Sequence, residues 1–220
     1  MEIKTKYNEI GVEEPLNIQS EIKSKVNEKY NGSIWLEKKV FRIALVSTFS
    51  ALAVVLGYAL AAIPNVELFT LMIFLGGFIL GKRDGVIIGF LSSTIFIFFN
   101  PYGTSPAPLF IYQVIHYCLI GLIGGIIKSY LSKKEYFKPK EDLYKFRIMI
   151  YFGLTAALIT FIYDIISTLV GSLLVSFSID FFIISYIYGL LFTTVHLIGN
   201  TLGFIFILPG LISLISKLLA

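Results

Sequence analysis

The chain has 220 residues, of which 56% are hydrophobic and only 15% charged, and its mean hydropathy is +0.83. So little polar surface cannot cover a water-soluble globule, which excludes a soluble domain and indicates a polytopic membrane protein. The net charge of +4 comes from basic residues in tails and short turns between apolar spans, a distribution that orients a membrane protein rather than binding nucleic acid.

In chain order, residues 1–36 are polar and rich in Lys, Glu and Asn, with neither the apolar core nor the small-residue cleavage site of a signal peptide. They are expected to form a mobile cytoplasmic tail, with a polar surface helix over residues 21–30 as the alternative. Trp35 marks the approach to the bilayer interface. Residues 37–220 then read as an all-α integral membrane domain, a bundle of six transmembrane helices. The expected spans are 41–63, 67–80, 86–99, 109–130, 146–175 and 189–215. Spans two and three form a hairpin around the basic turn Gly81-Lys82-Arg83-Asp84-Gly85, and both are shorter than the roughly 20 residues a lone helix needs to cross the hydrocarbon. The aromatic segment 178–188, interrupted by Asp180, reads as an outer interfacial cap, and Pro209 should kink span six near its inner end.

Six crossings put both termini on one side. The 18 Lys and Arg residues all fall in the N-terminal segment through Arg42, the Lys82-Arg83 turn, the stretch from Lys128 to Arg147, and Lys217. With a cytoplasmic N-terminus every one of them is cytoplasmic, and the three opposite connections have none. Both termini are therefore expected in the cytoplasm. Glu67 and Asp180 fall on the outer side, and Asp164 lies inside span five.

No catalytic set stands out. Gly76 to Lys82 spells GxxxxGK, but Arg83 replaces the Ser or Thr of a phosphate-binding loop, and the stretch lies in an apolar span rather than after a strand. His196 and Asn200 resemble one motif of intramembrane prenyl-protein proteases, but the paired membrane glutamates those enzymes also need are missing: the only Glu-Glu, Glu13-Glu14, is in the tail. Two histidines, His116 and His196, without paired intramembrane carboxylates make a poor metal site, and the lone Cys118 suits packing. An enzyme of that protease type and a stand-alone secondary transporter are the competing classes. The second should show two related halves, and the six spans show no such repeat.

Small residues recur at four-residue spacing. Gly77, Gly81, Gly85 and Gly89 run through the hairpin, and span one carries Ser47 with Ala51, then Ala53, Gly57 and Ala61. Such stripes let helices approach closely in lipid. Internal packing suits the hairpin glycines; for span one, docking against a separate membrane subunit is the second reading.

Polar groups at membrane depth are costly unless they face a cavity or a partner. Asn65, Glu67, Asn100, Tyr102, Gln113, Asp164, His196 and Asn200 come from five spans and gather in the outer half or near the middle. They are the candidate substrate-binding residues. A turn before Pro101 is the competing role for Asn100, a helix-end position for Glu67, and helix-to-helix hydrogen bonding for His196 and Asn200.

Several of these elements occur together in a known family. Span one ending in Ile63-Pro64-Asn65-Val66, the turn Phe78 to Gly85, the tip Phe98-Phe99-Asn100-Pro101-Tyr102-Gly103, and His196-Leu197-Ile198-Gly199-Asn200 resemble the substrate-binding S components of energy-coupling factor (ECF) transporters. Within them the chain is most similar to members assigned to cobalamin uptake. It departs from these at Thr193 and Thr194, where they tend to carry Asp, and in residues 104–108, which lack their common Trp. The resemblance implies a vitamin-capturing subunit that binds no cofactor itself. It would work with a transmembrane T component and two ABC-type ATPases, which spend the ATP.

Overall fold

The computed structural model describes residues 38–219; the expected tail and Trp35 lie outside the described residues. Among them every regular element is a helix: α1 Lys39–Leu60, α2 Phe69–Leu80, α3 Lys82–Phe98, α4 Ala107–Leu131, α5 Phe146–Val175, α6 Ile179–Leu202, a π-helical turn Gly203–Ile207, and α7 Leu208–Leu218. Four helical stretches are long and apolar enough to cross a membrane: α1, α4, α5 and the continuous run Ile179–Leu218. The chain is a multi-pass helical membrane protein.

Helix α2 is the centre of the bundle. All 12 of its residues are buried, which is why it shows no amphipathic period: it has no polar side to present. At 1.5 Å per residue it is about 18 Å long, against a hydrocarbon core of about 30 Å. Phe74 and Phe78 pack against Phe152 of α5, Phe74 against Phe204 of the π turn, and Phe78 against Phe137 of the loop after α4.

The turn between α2 and α3 is tighter than expected. Gly81 alone makes it, at φ +103° and ψ 176°, a conformation essentially closed to residues with a Cβ. Lys82 to Gly85 already form the first turn of α3. There Asp84 favours the positive helix end and accepts hydrogen bonds from Arg42 of α1 at 2.6 and 3.0 Å. Lys128 of α4 donates to the Ile79 carbonyl at 2.6 Å, satisfying an otherwise free acceptor at the end of α2.

The hairpin glycines pack inside the bundle. A Cβ on Gly77 or Gly85 would lie 1.9 or 2.3 Å from the Gly121 carbonyl oxygen, and one on Gly89 would lie 2.3 Å from that of Tyr117. Helices α2, α3 and α4 therefore meet backbone to backbone. On α1 the small residues divide between two faces, correcting the single docking stripe. Ala53 and Gly57 are buried, Gly57 against Phe96 and Phe69, whereas Ser47 and Ala51 are exposed. Residues 51 and 53 differ by about 200° around the helix, so both sets cannot share one surface.

The expected cap over residues 178–188 is instead the start of α6. Ser178 caps it by accepting from the Phe181 amide, and Asp180 sits in the first turn, where a carboxylate supports a helix rather than breaking it. Near the other end the irregularity spreads over the π turn ahead of Pro209, with Tyr144 donating to the Phe206 carbonyl at 2.7 Å.

Gly85→Ala should destabilise the detergent-solubilised protein by about 1–3 kcal/mol through overpacking, read as a lowered thermal midpoint. Gly171→Ala, in α5 with nothing within 4 Å, should leave the midpoint unchanged or raise it.

Candidate substrate-binding site

Because α2 begins late, the loop of residues 61–68 has room above it, and a cavity of about 670 Å³ opens there among α1, α3, α4, α5 and α6. Its wall includes Asn65, Glu67, Asn100, Tyr102, Asp164 and His196, six of the eight expected site residues. Gln113 and Asn200 stand behind the wall, each bonded to a residue that lines it.

The polar centre is built by two helix faces and the loop. His196 and Asn200, one turn apart, are the only buried residues of α6; the rest of that helix is half-buried or exposed and mostly apolar, with Gly189, Phe192 and Thr193 on the cavity wall. Thr160 and Asp164, also one turn apart, answer them from α5. His196 Nδ1 lies 2.8 Å from Asp164 Oδ1 and its Nε2 lies 3.2 Å from Glu67 Oε1. Asn200 Nδ2 donates to Glu67 Oε1 at 3.3 Å and to Thr160 Oγ1 at 3.1 Å. The Thr70 hydroxyl also donates to Glu67 Oε1. One carboxylate oxygen thus collects three groups, while Asp164 Oδ2 and Asn200 Oδ1 are buried without a partner among the described residues.

An aromatic group backs this cluster. The Tyr163 ring lies edge-on to His196 at 5.8 Å and next to Tyr112, His116 and Tyr117. Gln113 donates to its hydroxyl at 3.0 Å. Tyr117, Phe96 and Phe192 add apolar surface to the cavity wall.

The loops are tied down. Asn65 takes the left-handed conformation at φ +57°, which Asn tolerates better than most residues, and donates to the Phe192 carbonyl of α6 at 2.9 Å. Tyr102 donates to the Ala61 carbonyl at 3.1 Å. Asn100 makes the turn weighed for it, its Oδ1 accepting from the Tyr102 amide at 2.9 Å, and also reaches the cavity wall.

Sequence reasoning does not select Thr160, Thr70, Tyr117, Phe96 or Phe192. Thr160 carries a signal, because Thr160 with Asp164 repeats the four-residue spacing of His196 with Asn200. The aromatic residues carry none among so many others.

Both imidazole nitrogens of His196 are engaged by carboxylates, and among the described residues no three His, Cys, Asp or Glu side chains are arranged to hold a metal ion. A half-apolar, half-polar cavity inside a membrane bundle defines a small-molecule-binding membrane protein. The family model for the S component of ECF-type riboflavin transporters matches residues 37–218, and the chain belongs to that family. Searches of curated proteins and of solved structures gave no match. S components are membrane vitamin-uptake subunits rather than enzymes, and membership implies association with a T component and ATPases.

His196→Leu should leave the Glu67 and Asp164 carboxylates without their common partner and cost about 3–5 kcal/mol. Adding Asp164→Asn to that variant should recover part of the loss, as denaturant or thermal unfolding in detergent would show.

Proposed function

We propose that this chain is the capture subunit for a flavin-like vitamin, binding it in the cavity above α2 and passing it inward when an ATP-driven partner module reorients the subunit. The observation that carries the reading is the cavity at the mouth of a helix too short to fill the bundle, in a chain of this family. At about 670 Å³ it is in the range of about 300–1,000 Å³ that encloses a drug-sized ligand. Riboflavin, a flat tricyclic ring with a hydroxylated chain, suits that size; a corrinoid with its nucleotide tail is too large to be enclosed. The flavin reading therefore takes the place of the cobalamin expectation.

Tyr102, Phe96, Phe192 and Tyr117 would hold the ring by apolar contact and stacking, and Asn65, Glu67 and Asp164 would meet its polar edge and chain. Six crossings with both termini in the cytoplasm follow from the basic residues. Lys39, Arg42, Lys82, Arg83, Lys128 and Lys217 belong to the helix ends far from the cavity, which by the positive-inside rule is the cytoplasmic side. The cavity then opens outward. The exposed Ser47 and Ala51 remain available for docking the T component, and the partner ATPases spend the ATP.

Riboflavin should raise the thermal midpoint of the purified chain saturably, with cobalamin and cobinamide giving no shift. Phe192→Ala and Tyr102→Ala should each weaken riboflavin binding about 10-fold or more, the loss of a buried aromatic anchor. A shift with cobalamin and none with riboflavin would reverse the choice of ligand.

A further inference from the structure

The end of the bundle away from the cavity carries a second organised surface, on the outer side of α4 and α5. The Tyr130 ring, at the end of α4, stacks on Tyr151 of α5 at 5.9 Å between centroids and 16° between planes. Lys134 Nζ lies 4.7 Å from the centroid of the Tyr130 ring, within range of a cation–π contact. Arg147 stands one turn from Tyr151 on the same side of α5. Among the described residues neither cation has a carboxylate partner: the ion pairs of this region join Lys138 and Lys145 to Glu141 and leave both out. None of these residues lines the cavity.

The cations sit on a fixed platform. The connection from α4 to α5 is pinned by the buried Phe137 and Leu143, while Tyr144 donates to the Phe206 carbonyl and Ser213 to that of Glu141. Little ordering therefore remains to be lost on binding. Residues 133–147 include six basic and three acidic side chains, so the surface attracts anions.

Beyond the tyrosine stack the same two helix faces turn apolar. Ile126 lies one turn from Tyr130 on α4, Leu154 and Leu158 lie one and two turns from Tyr151 on α5, and all three are exposed. Helix α4 packs far more extensively on α2 and α3 than on α5, which leaves a furrow between the two rows. A soluble acidic protein could match the cations but not the apolar furrow that continues from them into the membrane. An amphiphile with an anionic head matches both.

We propose that this surface binds an anionic phospholipid, with its phosphate on Lys134 and Arg147, its head group against Tyr130 and Tyr151, and its acyl chains along Ile126, Leu154 and Leu158. The bound lipid bridges α4 and α5 where their own packing is sparse, and so stabilises the bundle against their separation.

The test is native mass spectrometry of the full chain in neutral detergent, titrated with phosphatidylglycerol or with phosphatidylcholine of the same acyl chains. Phosphatidylglycerol should bind about 10-fold tighter or more and raise the thermal midpoint saturably. Lys134→Gln and Arg147→Gln should each weaken it about 5-fold and together about 30-fold, the scale of one and two basic contacts with an anionic surface. Lys134→Arg should keep most of the affinity. Lys138→Gln, which removes the same charge from a paired cation of the same connection, should change it little. Glycerol phosphate, a head group without acyl chains, should not displace the lipid. Thermal midpoints in lipid-free detergent identify the variants that fold, and Lys134→Gln carries the test alone where Arg147→Gln does not. Equal binding of the two lipids overturns the inference, as does a loss in Lys138→Gln matching that in Lys134→Gln, or displacement of the lipid by glycerol phosphate.

Discussion

The bundle depends on a mismatch of length. Helix α2 supplies about 18 Å of buried apolar core, and the helices around it rise well beyond its start. Filling that excess with side chains would give a solid bundle with nowhere for a ligand. Instead the chain bridges it with residues 61–68, whose polar groups are costly at membrane depth unless satisfied. Asn65 and Glu67 meet that requirement by bonding to α6, and the space left beside the loop becomes the cavity. Close contact of the α2, α3 and α4 backbones through Gly77, Gly85 and Gly121 keeps the short helix in place without large side chains.

The polar centre follows from the same economy. Burying two carboxylates in a membrane bundle is unfavourable in isolation. Here the cost is offset by a shared imidazole and an amide from α6 and the Thr70 hydroxyl from α2, with Thr160 of α5 holding the amide in turn. Such a network holds its members in one geometry, and pre-organisation of that kind favours a small ligand by reducing the ordering lost on binding.

Much of this is legible from residue type and position. Apolar runs set the first five helices to within a few residues, and the short second span leaves a polar connection ahead of it. Six of the eight polar residues selected for their depth line the cavity, because a polar side chain in lipid has few other places to go. The errors have a common cause: one-dimensional reading does not resolve direction around a helix. Ala51 and Ala53 look like neighbours in one stripe yet face opposite ways, and Asp180 looks like an interruption although it sits in a helix's first turn. Ligand size is beyond the sequence, since it depends on how far the neighbouring helices stand apart.

The cluster also joins two parts of the bundle that otherwise meet sparingly. Glu67 is carried on the connection between α1 and α2, whereas His196 and Asn200 belong to α6, and their contacts with Glu67 are 3.2 and 3.3 Å. These distances already lie near the outer limit of about 3.2 Å for a good N–H···O bond. A relative slide of about 1 Å between the two parts would therefore break this clasp before it disturbed the glycine-packed helices, whose backbones are already in contact. The site thus lies on a seam, and what fills the cavity touches both edges of it at once.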